Sequence, residues 1–271
     1  MLARASRAKT DKRLVTEREE FLIFACSLNR RSLRSSPLSK NPHSHGESQS
    51  DPLFLHPILH AHLAGILAEV KKNLPAGWKI GTGSEGIHRT PAEQFAIFQK
   101  GRAFQNGSWV VVDKSKKVTN LDGYQKKSRH NYLPSTAVDI VLFKPNGQEL
   151  ESGPQEQKIG KGAAKYGLDW GGNWSGWQDL PHIEIPLNLL FKKSLDLDEG
   201  LQWQKYLFQA GALTKPEDLD GIFGQHSKAA LQTVVGTTER TPDAWEQLYI
   251  KYGPIESLTT FQQFGWIPAV A

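Results

Sequence analysis

One stretch of the chain constrains the fold more than any other: Thr136-Ala-Val-Asp139-Ile-Val-Leu-Phe143, an apolar run interrupted once by a carboxylate. Its β-branched content and its length mark a strand. A strand's period of two sets Ala137, Asp139, Val141 and Phe143 on one face and Val138, Ile140 and Leu142 on the other. An ionised carboxylate in such a setting needs a partner cation or a metal, because burial without one is costly. The chain must therefore build a sheet whose core face is apolar and whose other face gives Asp139 such a partner.

Candidate partners flank the strand. His130 lies in Ser128-Arg-His-Asn131 before it, and His182 lies in Asp179-Leu-Pro-His-Ile-Glu184 after it. Two neutral imidazoles and a carboxylate form a three-ligand set of the kind that holds a catalytic zinc and leaves the fourth position for water. Zinc so held polarises an amide and activates water near neutral pH. The reaction also needs a carboxylate to move the water's proton, and Asp179, just ahead of the His182 strand, is the candidate. Arg89 is the cation best placed by sequence to steady an oxyanion or a substrate carboxylate. The single cysteine, Cys26, excludes an internal disulfide and a thiolate zinc site, so any metal is held by histidines and carboxylates. Other histidine groups compete: His56, His60 and His62, and His43 with His45. The first of these lacks the Glu of an H-E-x-x-H helix.

Along the chain, residues 1–50 are rich in Arg, Ser, Pro and His without a sustained period and read as a disordered basic arm. The arm explains the pI of about 9.1: of 33 Lys/Arg and 28 Asp/Glu it carries ten and five, leaving the remainder balanced. A nucleic-acid partner is therefore not expected. No apolar run is long enough to span a membrane, and Phe21–Leu28 is too short and too poorly flanked for a clear signal. A helix is expected from Pro57 to Leu74, a strand from Trp78 to Gly83, and a helix from Pro91 to about Lys100, capped by Thr90. Residues 101–124 read as a loop with a hairpin through 109–112 and 117–119, and six Lys/Arg stand between Asp113 and Arg129 as a solvated rim or a face for an anionic polymer. A further helix is expected over 155–166. The Trp170, Trp174 and Trp177 loop reads as structural or as a substrate-lining wall, leading to a strand at 182–185. Charged Pro186–Gly200 reads as a domain boundary, followed by short helices at 201–207 and 227–235, a tight turn at 219–224 and one or two more helices after Pro242.

The blocks Gly86-Ile-His-Arg89-Thr-Pro-Ala-Glu-Gln94, Ser128-x-His130-Asn, Ala-Val-Asp139, Trp170-Gly-Gly-Asn-Trp174 and Asp179-x-Pro-His182-x-Glu184 resemble, in order, those of the D-alanyl-D-alanine carboxypeptidase and L-alanyl-D-glutamate endopeptidase family of zinc peptidases, including phage endolysins. The resemblance implies His130, Asp139 and His182 as ligands of one zinc per chain and Asp179 as general base and acid. It also implies Arg89 as a substrate or oxyanion contact, with Ser128 and Trp174 near the substrate. Here Asp139 follows His130 by nine residues rather than seven, with Leu133-Pro-Ser135 as the apparent insertion; an even change keeps Asp139 in phase with its strand. Leu201-Gln202, Asp220-Gly-Ile-Phe-Gly224 and Ala230-Leu231 resemble a helical peptidoglycan-binding domain.

The expected fold is α+β: a small antiparallel sheet with flanking helices carrying a zinc site, as in hedgehog-like and D-Ala-D-Ala peptidase-like domains, over 51–190. A small all-α peptidoglycan-binding domain with a C-terminal extension follows over 196–271. The resemblance implies a monomeric metallopeptidase that acts at the cell wall or periplasm on the stem peptide of peptidoglycan, at an L-Ala-D-Glu type bond. The alternatives are a D-Ala-D-Ala carboxypeptidase and, from another class, a non-catalytic zinc-containing wall-binding protein.

Overall fold

The strand β4 (Ala137–Phe143) lies inside a four-stranded antiparallel sheet of order β1-β4-β6-β5, with β1 Lys79–Thr82, β5 Asp169–Trp170 and β6 His182–Glu184. The computed structural model describes residues 50–255. All but the last residue of the basic arm, with Cys26, His43 and His45, lies outside the described residues, as does the C-terminal extension beyond Ile255. The alternation read from sequence divides β4: Val138, Ile140 and Leu142 are buried in the core, whereas Asp139, Val141 and Phe143 are only partly covered. In the β4–β6 register Asp139 faces His182 and Ala137 faces Glu184. Side chains opposite one another in a pair share a face, so Asp139 and His182 come together by register alone.

Helices cover the core face. In α1 (Pro57–Lys72) the buried residues Leu59, Leu63, Ile66 and Val70 recur at the spacing of a single stripe. The helix begins with Pro57 at its first position and the His56 side chain as its cap. α2 (Pro91–Gln99) carries the expected Thr90 cap, completed by Glu93 into a reciprocal capping box. α3 (Gln157–Lys165) packs on α1, with Gly162 letting it approach Val70 and Ile66 closely. Ile140, Leu142, Ile159 and Ile183 fill the space between. Each such side chain contributes roughly 1.5–3 kcal/mol by leaving water.

Two expectations fail locally. The hairpin in 101–124 joins β2 (Arg102–Gln105) to β3 (Ser108–Val111), not 109–112 to 117–119. Its two-residue turn is Asn106-Gly107, both with positive φ, a conformation these two residue types adopt at low cost. The segment beginning at Trp170 is not loop throughout, since Asp169 and Trp170 pair with Glu184 and Ile183.

The stretch 186–200, read as a boundary, is helical from Leu195: α4 (Leu195–Gln209) has Ser194 as its cap and Asp196 and Asp198 in its first turn. Asp198 and Glu199 are buried rather than displayed on a linker. Asp198 accepts a 2.7 Å hydrogen bond from His56 Nε2, and Glu199 accepts one from the Leu133 amide at 3.3 Å. α5 (Gln225–Val235) and α6 (Pro242–Tyr252) complete the helical part, where Trp203, Tyr206 and Trp245 meet edge to face. The Asp220–Gly224 turn is tied to α4 through Gln204, whose side chain bonds Asp220, Gly221, Ile222 and Ser227. Among the described residues no helix is long and apolar enough to cross a membrane.

Candidate metal centre

Three donor atoms converge on the open face of the sheet. His130 Nε2 lies 3.2 Å from His182 Nδ1 and 3.2 Å from Asp139 Oδ1, and His182 Nδ1 lies 3.0 Å from the same oxygen. Donors bound tetrahedrally to zinc at about 2.0–2.1 Å stand about 3.3 Å apart, so the triangle fits such an ion with little movement. Among the described residues this is the group of three or more potential ligands that the fold assembles.

The other nitrogen of each ring is already engaged. His130 Nδ1 is 2.8 Å from the Ile87 carbonyl oxygen, to which it donates, leaving Nε2 as a lone-pair donor for metal. His182 Nε2 donates to Glu184 Oε2 at 3.1 Å, and Glu184 is gripped in turn by the Arg129 guanidinium at 3.1 and 3.3 Å. A carboxylate or carbonyl behind each imidazole fixes ring orientation and tautomer, which is the usual support of metal-ligating histidines. Arg89 contacts the remaining oxygen of Asp139, and its Nε donates to the Glu85 carbonyl at 2.8 Å.

These contacts set the charges. Burial pushes the Asp139 carboxyl up, but His130, His182 and Arg89 together hold it well below the ordinary range. Burial lowers His130, against the pull of Asp139. His182 faces two carboxylates, and although burial opposes it, Asp139 and Glu184 raise it to about 9. The two carboxylates thus favour the protonated ring, and a cation binding at Nδ1 competes with that proton.

Asp179 sits in the same cleft, which has a volume of about 740 Å³ and is also lined by Arg89, Ser128, Trp174 and Trp177. Burial raises its carboxyl and the nearby Asp139 charge raises it further, the direction a proton-transfer group requires. Its backbone is placed by Asp179 N–H donating to the Gly171 carbonyl at 3.1 Å and by its own carbonyl accepting from His182 N–H at 3.2 Å. Gly171 is required there, since a Cβ would run into the Asp179 backbone. Ser128 is the cap of the turn bearing His130, its hydroxyl accepting from the His130 amide at 3.4 Å. Trp174 lies against the His182 ring at 5.1 Å between centroids. The three tryptophans divide: Trp170 is buried, with Nε1 donating to Leu180 O at 2.7 Å, whereas Trp174 and Trp177 line the cleft.

Among the described residues the competing histidines are engaged elsewhere. His56 caps α1 and pairs with Asp198, His60 packs by Tyr249, and His62 packs by Tyr166. The Arg129–Glu184 pair is the part of the site to which sequence reading assigned no role. Its signal was present, because Glu184 shares the strand face of His182 and Arg129 adjoins His130.

In comparison with known protein families, residues 122–185 match the model described as D-alanyl-D-alanine carboxypeptidase. The matched segment contains all three candidate ligands together with Ser128, Trp174 and Asp179, while Arg89 lies before it. The chain is thus similar to that peptidase family across the segment that carries the three candidate ligands.

Proposed function

We propose that the protein is a zinc metallopeptidase that hydrolyses an amide bond in the stem peptide of peptidoglycan, by preference an internal bond of the L-Ala-D-Glu type. The observation that carries this reading is the convergence of His130, Asp139 and His182 with Asp179 in one cleft. The family match over 122–185 supports a peptidase acting on peptidoglycan. His130 Nε2, His182 Nδ1 and Asp139 Oδ1 would hold the ion. Zinc, when bound, supplies Lewis acidity that activates water and offsets negative charge developing on the amide carbonyl.

The chain's own groups do the rest. Asp179 accepts the proton of the attacking water and delivers it to the leaving amine, a task suited to a carboxyl whose affinity for protons is raised. Arg89 adds to His130 and His182 in keeping Asp139 ionised and brings positive potential where oxyanion charge gathers. Ser128 orders the His130 turn, and Trp174 forms the wall beside His182. The cleft lined from Gln94 and Thr119 to Trp177 has room for a stem peptide on either reading, and the choice of an internal bond is part of the proposal. Helices α4 to α6 are proposed to bind the wall polymer. Mass spectrometry of purified peptidoglycan digested with the protein tests the reading. New amino termini on alanine–glutamate cleavage products are expected; release of free D-alanine alone would make it a carboxypeptidase, and no new termini would leave a non-catalytic wall-binding protein.

A further inference from the structure

His130 and Asp139 are joined by a loop whose far end is not held by the sheet strands. The base of the loop is closed where the Thr136 amide and hydroxyl both donate to the Arg129 carbonyl, each at 3.2 Å. Residues 130–135 project beyond that base, so the loop begins at one ligand and leads into the strand that bears the other. Any movement at its far end is passed to His130.

The far end is held by α4. Leu133 presents both backbone groups to that helix: its amide donates to Glu199 Oε1 at 3.3 Å, and its carbonyl accepts from Trp203 Nε1 at 2.6 Å. Glu199 and Trp203 stand one turn apart and share a face of α4. The other oxygen of Glu199 lies 3.7 Å from Nζ of Lys127, the residue before Ser128, and 3.8 Å from Arg240. Burying a carboxylate is costly unless it is paired and hydrogen-bonded, and the two cations with the Leu133 amide offset that cost. Lys127 also reaches Asp196 at 3.4 Å and lies over the Tyr132 ring at 4.9 Å. The first turns of α4 therefore hold the His130 segment on both sides, at Lys127 and at Leu133.

The helix is itself anchored to the chain ahead of α1. Asp198 accepts from His56 Nε2 at 2.7 Å, and the His56 amide donates to the Ser135 carbonyl at 2.9 Å. These bonds close a circuit from Leu133 to α4, on to His56 and back to Ser135. The loop is thus fixed from two directions.

We infer that Glu199 is a positioning residue of the metal centre: through the Leu133 amide it holds the loop that sets His130 against Asp139 and His182. The inference rests on the metal centre of the peptidase reading and gives α4 a task there, separate from any contact with wall polymer. Supporting groups hold metal ligands to within about 0.5 Å of the required geometry, and their loss typically weakens metal binding by about tenfold or more. What the loop needs from Glu199 is an acceptor for the Leu133 amide. Glutamine, with an oxygen of the same reach, supplies one.

The test measures zinc affinity by competition with a chelator and, in cobalt(II)-loaded protein, the visible absorption that reports ligand geometry. Glu199→Ala is expected to weaken zinc by about tenfold and to alter the cobalt spectrum, whereas Glu199→Gln is expected to bring both back toward the parent. Leu231→Ala, a buried deletion in α5, a helix that lines no part of the cleft, controls for lost stability and is expected to leave both unchanged. Melting curves show which variants fold. Where Glu199→Ala does not, Trp203→Phe, which removes the donor to the Leu133 carbonyl, takes its place under the same expectations. Parental affinity and spectrum in Glu199→Ala, equal losses in Glu199→Gln, or equal losses in Leu231→Ala overturn the inference and leave the peptidase reading standing. A parent that binds neither ion removes the metal centre, and the inference with it.

Discussion

The indole N–H of Trp203 in α4 donates to the carbonyl oxygen of Leu133 at 2.6 Å, in the short segment that separates His130 from Asp139. The Leu133 amide is engaged from the same helix by Glu199, and beyond it the Ser135 amide donates to the Phe54 carbonyl at 2.8 Å. The segment noted in sequence as an insertion is therefore one place where α4 is tied to the chain leading into β4. Trp203→Phe keeps most of the ring and removes the donor, leaving a buried carbonyl without a partner. A loss of about 1–3 kcal/mol is expected from such a deletion. Urea unfolding of parent and variant measures it, and equal midpoints would show that the bond is not a structural tie.

Glu184 is expected to act on the metal through His182. Its carboxylate accepts the Nε2 proton that fixes Nδ1 as the donor, with Arg129 holding it from behind. Glu184→Gln is therefore expected to weaken zinc binding by about 10- to 100-fold without abolishing it, whereas His182→Ala removes a ligand outright. Because Glu184 also helps keep a competing proton on His182, the comparison is made at pH 9, by titration against a chelator. Unchanged affinity in Glu184→Gln would assign the Arg129–Glu184 pair to the fold alone.

His88 gives the protein a dependence on acid. It is buried, its Nδ1 has no hydrogen-bond partner, and burial lowers it to about 4, with Glu93 opposing. The folded value lies below the ordinary value of 6.5, so the unfolded chain binds more protons between the two. The contribution is fully present above pH 6.5 and is lost as pH falls toward 4, a change of about 3 kcal/mol at about 1.36 kcal/mol per unit. His88→Phe, which retains a ring beside Phe54, is expected to remove that part of the slope. Unfolding free energies at pH 7.5 and 4.5 for both proteins make the comparison, and parallel slopes would exclude His88 as the source.

Much of the site was legible in the sequence because its signals are local. A carboxylate alone in an apolar strand identifies a polar demand, and period-two alternation states which face meets it, as Asp139 and His182 do. The cap at Thr90 shows the same locality, whereas the Ser194 cap was not read and the acids after it read as a domain boundary. They read so because nothing local reveals a distant partner: Asp198 is matched by His56, 142 positions earlier. The hairpin was misplaced for a different reason, since Asn106-Gly107 announced the turn and the apolar run 109–112 drew the reading away from it. Arg129 and Glu184 were each visible, but their pairing depends on the approach of the His130 turn to β6.

The central claim is that Asp179 moves protons at a metal centre it does not itself hold. The most direct measurement is the rate at which Asp179→Asn releases new amino termini from a soluble muropeptide, relative to the parent, with zinc content determined in both preparations. Zinc content and melting are expected to stay near those of the parent while turnover falls by about two to four orders of magnitude, the range for loss of a general acid-base group. Cleavage by Asp179→Asn at the parental rate and equal zinc content would contradict the account.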